Sequence, residues 1–351
     1  MKHRYNALLS QTWDLRDERQ IMSLLEEAIV IADRYLTEED AYRARMQYTE
    51  KAVEFGYYDK MLVSFIWCWS RFVKHPEKYS SFYMLWHFKW VVENMRKFAV
   101  YSLAQLEQLF ALFKEECEKY QYSLRPYYEA YMHLLLYSGR TEEAGEYYKL
   151  WRKAKHDGLS NCQACEQHAM GGYHFSKGHY KRGLQLLKPV LEGRLTCHSV
   201  PGNTYAMVVQ AYLALGQFDE ARKYAEKAYR ALKGTGHHYE YGTLIAYYTV
   251  VNRRRAMQLY RNSRRDVKTT VNDWEKLHYL VGVQFLLEQQ ELEQTRKRKP
   301  NPDELDYEWV CAEIDRLRKA FDARNQNSYM SRRIEDMRKL YAGLKEMAGN
   351  A

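Results

Sequence analysis

Proline is scarce, at 6 of 351 residues, so long stretches are free to run as unbroken helix, because proline removes a backbone donor and clashes with the preceding turn. No run of about 18 consecutive apolar residues occurs, which excludes a conventional membrane-spanning helix and predicts no membrane partner. The opening residues, MKHRYNALLSQTWDLRDER, contain no hydrophobic signal core, and the expected location is cytoplasmic. Cysteines number six, at positions 68, 117, 162, 165, 197 and 311. In a chain of this length that is no disulfide framework, and free or metal-bound thiols are expected. The motifs GxxxxGK[ST], GxSxG, HExxH and a GxGxxG opening a helix are all missing. Their absence favours a protein that is not an enzyme.

What is present points to helices in pairs. The chain is 46% hydrophobic and 28% charged, a composition that suits a folded, mostly helical protein. The guiding stretch is Thr204 to Lys233, TYAMVVQAYLALGQFDEARKYAEKAYRALK. With Gly216 as the turn, Tyr205, Val208, Val209 and Tyr212 share one face of a first helix, and Phe218, Ala221, Ala225 and Ala228 one face of a second. Small residues at 221 and 228 let the two helices approach closely. One such hairpin cannot bury its apolar face alone, so it implies stacked neighbours. Glycines recur as turns at 56, 139 and 178, and the turns at 139, 178 and 216 are 39 and 38 residues apart.

The predicted fold class is therefore all-α, an α-solenoid of about six degenerate hairpins with capping helices at both ends. Residues 1–40 read as N-terminal capping helices, 41–295 as the solenoid, 296–306 (basic, with two prolines) as a linker, and 307–351 as a C-terminal helical cap. The segment 81–120 reads as a hairpin without a turn glycine, and 239–267 as one with Asn252 at a positive-φ turn position. Residues 273–295 read as one more first helix. Tyrosine is abundant, at 32 residues; its amphipathic ring suits the half-buried ridges between hairpins, and an aromatic binding groove is the other reading.

Three groups of residues carry candidate chemistry. Cys162 and Cys165 stand at i and i+3 on the first turn of a helix. In a solenoid the start of one repeat lies beside the start of the next, so Cys197 should approach them. The positive helix end should favour thiolate, and with it zinc. His198 or His168 would supply the fourth ligand, His198 by preference. Reduced cysteines that only pack, or a redox pair, are the other readings. The second group is the run Arg253, Arg254, Arg255, Arg261, Arg264, Arg265 and Lys268, part of a stretch, 253 to 299, with twelve Lys/Arg against six Asp/Glu. Several share a helix face that could hold nucleic-acid phosphates or an acidic partner, or simply be solvated. Third, the guide register aims Glu50, Glu129, His133, His168, Asn203 and Gln210 into the concave side, the expected groove for a protein segment or peptide.

Gly216 to Ala228 resembles the tetratricopeptide-repeat (TPR) superfamily, and in degenerate form the resemblance covers roughly residues 40 to 290. The segments LWHFKWVV at 85–92, LSNCQACEQ at 159–167, PVLEGRLTC at 189–197 and AFDARNQNSYMS at 320–331 look together like an uncharacterised family of bacterial TPR proteins with a CxxC…LTC motif. This resemblance implies a cytosolic bacterial scaffold or adaptor and a shared role for Cys162, Cys165 and Cys197; it implies no activity. The pattern departs from the usual repeat at Val209, where Gly or Ala is common, and in lacking a proline after Leu232. A peptide-sensing regulator is the alternative of similar design, although no DNA-binding helix-turn-helix is visible at the N-terminus.

Overall fold

Helix boundaries follow residues that satisfy the first free backbone N–H groups of each helix. In the computed structural model, which describes residues 1–232, 237–265, 267–293 and 305–349, Asp17, Thr37, Ser80, Ser102, Asn252 and Asp306 all accept from a backbone N–H three residues on. Ser102 and Gln105 form a reciprocal capping box, which satisfies two orphan donors at once. Among the described residues all regular structure is helical.

The helices run in antiparallel pairs. First come α1 (Lys2–Gln11) and α2 (Glu18–Tyr35), then α3 (Glu38–Glu54) with α4 (Tyr58–Lys74), and α5 (Ser81–Met95) with α6 (Leu103–Lys119). Next are α7 (Arg125–Tyr137) with α8 (Thr141–Lys153), α9 (Gln163–Ser176) with α10 (Tyr180–Leu191), and α11 (Gly202–Ala214) with α12 (Phe218–Ala231). The chain continues through α13 (His238–Val251) with α14 (Arg253–Ser263), α15 (Asp273–Glu293) with α16 (Tyr307–Asn325), and ends in α17 (Tyr329–Gly349). The solenoid thus has one hairpin more than expected, because α15 acts as a first helix and α16 packs on it as its second. Residues 296–304 of the predicted linker lie outside the described residues.

Turns explain most of this regularity. Gly216 has φ +68; its N–H bonds to Leu213 O at 3.0 Å and that of Gln217 to Tyr212 O at 2.9 Å, a helix-ending motif that needs a left-handed residue between the two bonds. Gly56, Gly139 and Gly178 repeat it. Asn252 does not. Its φ is −157, and its side chain accepts from Arg255 N to start α14. With a single residue between α13 and α14 there is no room for the left-handed turn, so the asparagine serves as an N-cap instead. In the guide hairpin Ala221, Ala225 and Ala228 are fully buried and Phe218 nearly so. Tyrosines fill the ridges between hairpins: Tyr148 stacks on Tyr173 at 4.0 Å, and Tyr131 meets Tyr147 at 4.5 Å.

The C-terminal pair is more than an end cap. Helix α17 packs across α11, α13 and α15, the first helices of the last three hairpins, and so lies along their concave side. The turn between α16 and α17 then reaches the second and third hairpins. Arg324 Nη1 donates to the carbonyls of Arg96 and Phe98 at 2.7 and 3.0 Å, and Asn325 and Asn327 donate to those of Tyr137 and Ser138 at 3.3 and 2.8 Å. The start of α15 joins the same contact: Trp274 N donates to Lys97 O at 3.0 Å, Asp273 accepts from Ala99 N at 2.8 Å, and Lys97 pairs with Glu275 at 3.0 Å. The solenoid therefore closes on itself.

The tightest approach is between α13 and α15, where a Cβ on Gly282 would lie 2.1 Å from Gly242 O, and one on Gly242 would lie 2.6 Å from Tyr279 Cα. Backbone cannot move aside as a side chain can, so Gly282→Ala should destabilise the protein by about 1–3 kcal/mol or more in urea unfolding. Gly343→Ala in α17, whose Cβ would meet only Met347 Cε at 3.6 Å, should be neutral or stabilise by up to about 1 kcal/mol. Equal effects of the two would mean that the helices do not touch backbone to backbone.

Candidate metal centre and enclosed polar interior

The connections before α9 (residues 154–162) and before α11 (residues 192–201) are longer than those inside hairpins, and each delivers cysteine to the same rim of the solenoid. Cys162 is the extended N-cap residue of α9, with no cap hydrogen bond from its side chain. Cys165 lies one turn in. Cys197 is held in the second loop by its own N–H, which donates to Val200 O at 2.9 Å. The three sulfurs all lie within 4.8 Å of one another, and Sγ of Cys165 is 3.4 Å from Sγ of Cys197. That is far longer than a disulfide bond, and all six cysteines are free. Sulfurs tetrahedrally bound to zinc at 2.3 Å stand about 3.8 Å apart, so the cluster fits the ion with small adjustments.

No histidine completes the set. The group contains Cys162, Cys165 and Cys197 alone; His198 is exposed and outside it, and His168 Nδ1 is engaged with Thr204 Oγ1 at 2.8 Å in the interior. The thiol electrostatics also differ from the expectation of a helix-favoured thiolate. Burial, then the neighbouring Cys197 and Cys162 thiols, push Cys165 up. At Cys197 burial is outweighed by hydrogen bonds from the Val200 backbone, the Cys165 thiol, the Ser199 backbone and the Cys162 thiol, and its pKa falls. Of these two thiols, the one held in the loop is thus the more readily ionised.

Behind this rim lies a polar interior. Lys89, 1% exposed and the single Lys or Arg of α5, donates to Leu159 O at 2.9 Å and Asn161 Oδ1 at 3.0 Å, and so ties α5 to the loop that leads into Cys162. Glu129 is buried with Oε2 unpartnered; burial first, then the Glu93 charge, raise its pKa to about 8. Burial holds His168 down to about 4, and burial, Arg96, His168 and Lys97 hold His133 far below its ordinary value. Gln210 donates to Thr243 Oγ1 at 2.9 Å and accepts from Tyr239 at 2.8 Å. Asn203, at the start of α11, is half-buried and accepts from Thr204. Glu129 is buried and His133, His168, Asn203 and Gln210 are half-buried, and α17 packs across the first helices of the last three hairpins, so the concave side there is no open groove. The sequence reading missed Arg96, Tyr137, Tyr239, Trp274, His278 and Arg333, which the closure brings to the same space. Only Lys89, a lone cation between Phe88 and Trp90, gave a local sign of it.

The basic run is divided by the fold. Arg255 pairs with Glu226 and lies over the Tyr229 ring at 5.1 Å, Arg264 lies over Tyr260 at 5.5 Å, and Arg253 is half-buried. Arg254, Arg261, Arg265 and Lys268 are exposed. Arg296 to Lys299 lie outside the described residues.

Two interior carboxyls make a pH prediction. Glu129 and Glu240 both rise from 4.5 to about 8, Glu240 by burial and then the Glu275 charge. The folded protein holds protons there that the unfolded chain releases above pH 4.5, so this stability is full below that pH and is lost as pH climbs through 8. Glu129→Gln should therefore lose stability less steeply than wild type between about pH 5 and 8, by up to about 1.4 kcal/mol per pH unit in urea midpoint series. Parallel slopes would place the carboxyl in water. In comparisons with known proteins, no family model matches the chain and no curated protein is detectably related to it.

Proposed function

We propose that the chain is a non-enzymatic helical-repeat scaffold for protein or peptide partners, with a structural zinc ion at Cys162, Cys165 and Cys197. The observation that carries the reading is the convergence of three thiols from two successive repeats, with no His, Asp or Glu grouped with them among the described residues. Thiolates are the ligands zinc prefers in structural sites, and a metal there would join hairpins four and five. Cys162 is exposed, so the fourth position faces outward, and water or a partner's side chain would fill it. A partner peptide entering the concave side of the last three hairpins would have to replace α17, which is the form the peptide-sensing alternative takes in this fold.

Elemental analysis of the purified protein should find about one zinc per chain, and Cys162→Ser/Cys165→Ser should find none. Zinc at about 100 times its Kd should stabilise the wild type by about 2.7 kcal/mol and leave the double variant unchanged. Metal-free protein whose thiols titrate equally with and without chelator would reduce the cluster to packing.

A second reading, binding of nucleic acid, rests on the exposed Arg254 and Arg261, two turns apart on α14, and Arg265 just beyond it, with no acidic residue on α14. Affinity for a random DNA duplex should fall steeply with salt and vanish on charge reversal at these three positions. Binding that ignores salt or survives the reversals would remove this reading.

A further inference from the structure

Second helices of the hairpins that follow α4 present charge to solvent. Glu115 and Glu118 on α6, Glu146 and Lys149 on α8, and Arg182 and Lys188 on α10 are all exposed. Helix α4 departs from them. Its residues 61–70 carry no charged side chain, yet Val63 is 71% exposed, Ile66 56% and Val73 54%. With the half-buried Ser70 they form a stripe at steps of three, four and three residues, the spacing along which a second helix packs at a shallow angle. Single exposed apolar residues are ordinary, but a continuous apolar stripe on one helix marks an interaction surface.

Charge stands only at the two ends of this stripe. Lys60 pairs with Glu26 at 2.9 Å and Arg71 with Glu38 at 3.6 Å. Asp59, in the first turn of α4, and Lys74, in the last, are exposed, and no ion pair is found for either among the described residues. The face is thus acidic at one end, apolar along its middle and basic at the other end. A partner of one charge sign would match one end and be repelled by the other. A second copy laid antiparallel matches both ends at once, and the two helix dipoles then oppose favourably. We propose that α4 is a homodimer interface, in which the stripes of two chains pack antiparallel about a two-fold axis near Ile66, with Asp59 of each chain beside Lys74 of the other. Such an isologous contact uses one self-complementary patch twice. One helix pair buries less than a standard interface, so the dimer forms at micromolar concentrations. The surface belongs to the second hairpin, away from the thiols and from α14, so it stands or falls independently of the functions proposed above.

The test is sedimentation velocity of the full-length protein, which should pass from monomer to dimer between about 1 and about 200 μM, the range of a small non-obligate interface. Ile66→Lys sets a cation at the centre of both faces and should leave monomer throughout. These side chains are exposed, so the variants should keep the wild-type helical signal and Tm. Asp59→Lys makes both ends of the stripe basic, and Lys74→Asp makes both acidic. Each alone should dimerise at least about fivefold more weakly at low salt, since two attractions become two repulsions. An equimolar mixture of these two variants should recover association as a heterodimer, because each end then meets its opposite. That recovery separates an antiparallel contact from loss of structure. A chain that stays monomeric at the highest concentration, a dimer that survives Ile66→Lys, or a mixture that associates no better than its two components would overturn the proposal.

Discussion

One buried guanidinium holds the two ends of this solenoid together. Helix α5 ends at Met95, and the carbonyls that follow have no further turn to bond to. Arg324, 7% exposed, supplies donors to two of them, at Arg96 and Phe98, while Asn325 and Asn327 do the same for the end of α7. A cation at the negative end of a helix is favourable on two counts, the hydrogen bonds and the helix dipole. Burial lowers the Arg324 pKa to about 10, so it stays charged at neutral pH and the contact keeps its full strength. The connecting segment between α16 and α17 thus serves as the cap for helices more than 180 residues earlier in the chain.

Closure sets the electrostatic character of everything inside. Desolvation disfavours whichever form of a group is charged. It keeps Glu129 and Glu240 protonated and His133 and His168 unprotonated near neutral pH. Groups that would otherwise balance the arginines are neutral, and groups that would add to them are neutral as well. What persists is the charge on guanidinium and on the Lys97–Glu275 pair. The cysteine rim is only partly in this regime, because burial raises Cys165 whereas Cys162 is exposed and hydrogen bonds outweigh burial at Cys197.

Local rules made the hairpins legible. Gly56, Gly139, Gly178 and Gly216 could be assigned because a left-handed turn excludes most other residues, and Cys162, Cys165 and Cys197 could be brought together because repeat topology is itself a local rule applied twice. Asn252 was misassigned since asparagine suits both a left-handed turn and an N-cap, and only the length of the connection decides between them. The packing of α17 was not legible at all. Its apolar stripe (Met330, Ile334, Tyr341, Leu344) shows that one face is covered, and nothing in a helical period says whether an end or a concave side covers it. The polar run at 322–328 had the same ambiguity: Asp322 does cap the following helix, accepting from Met330 N at 2.8 Å, whereas Arg324 and Asn325 act on distant carbonyls.

The position of the thiols gains meaning from how the apolar core is divided. One large core occupies the hairpins up to α7, and another runs from hairpin five to the C-terminus. Between them lie two small clusters, one around Trp151 and Met170, the other only Ala164, Val190 and Val200 with Cys165 and Cys197 packed against them. So the two large cores are joined on one side by these smaller clusters, the one at the thiols the smallest, and on the other by the Arg324 contacts. Hydrophobic stabilisation scales with the area removed from water, and three small side chains remove little. Ligand bonds between Cys165 on α9 and Cys197 before α11 would act at the point where the fold has least apolar burial to rely on.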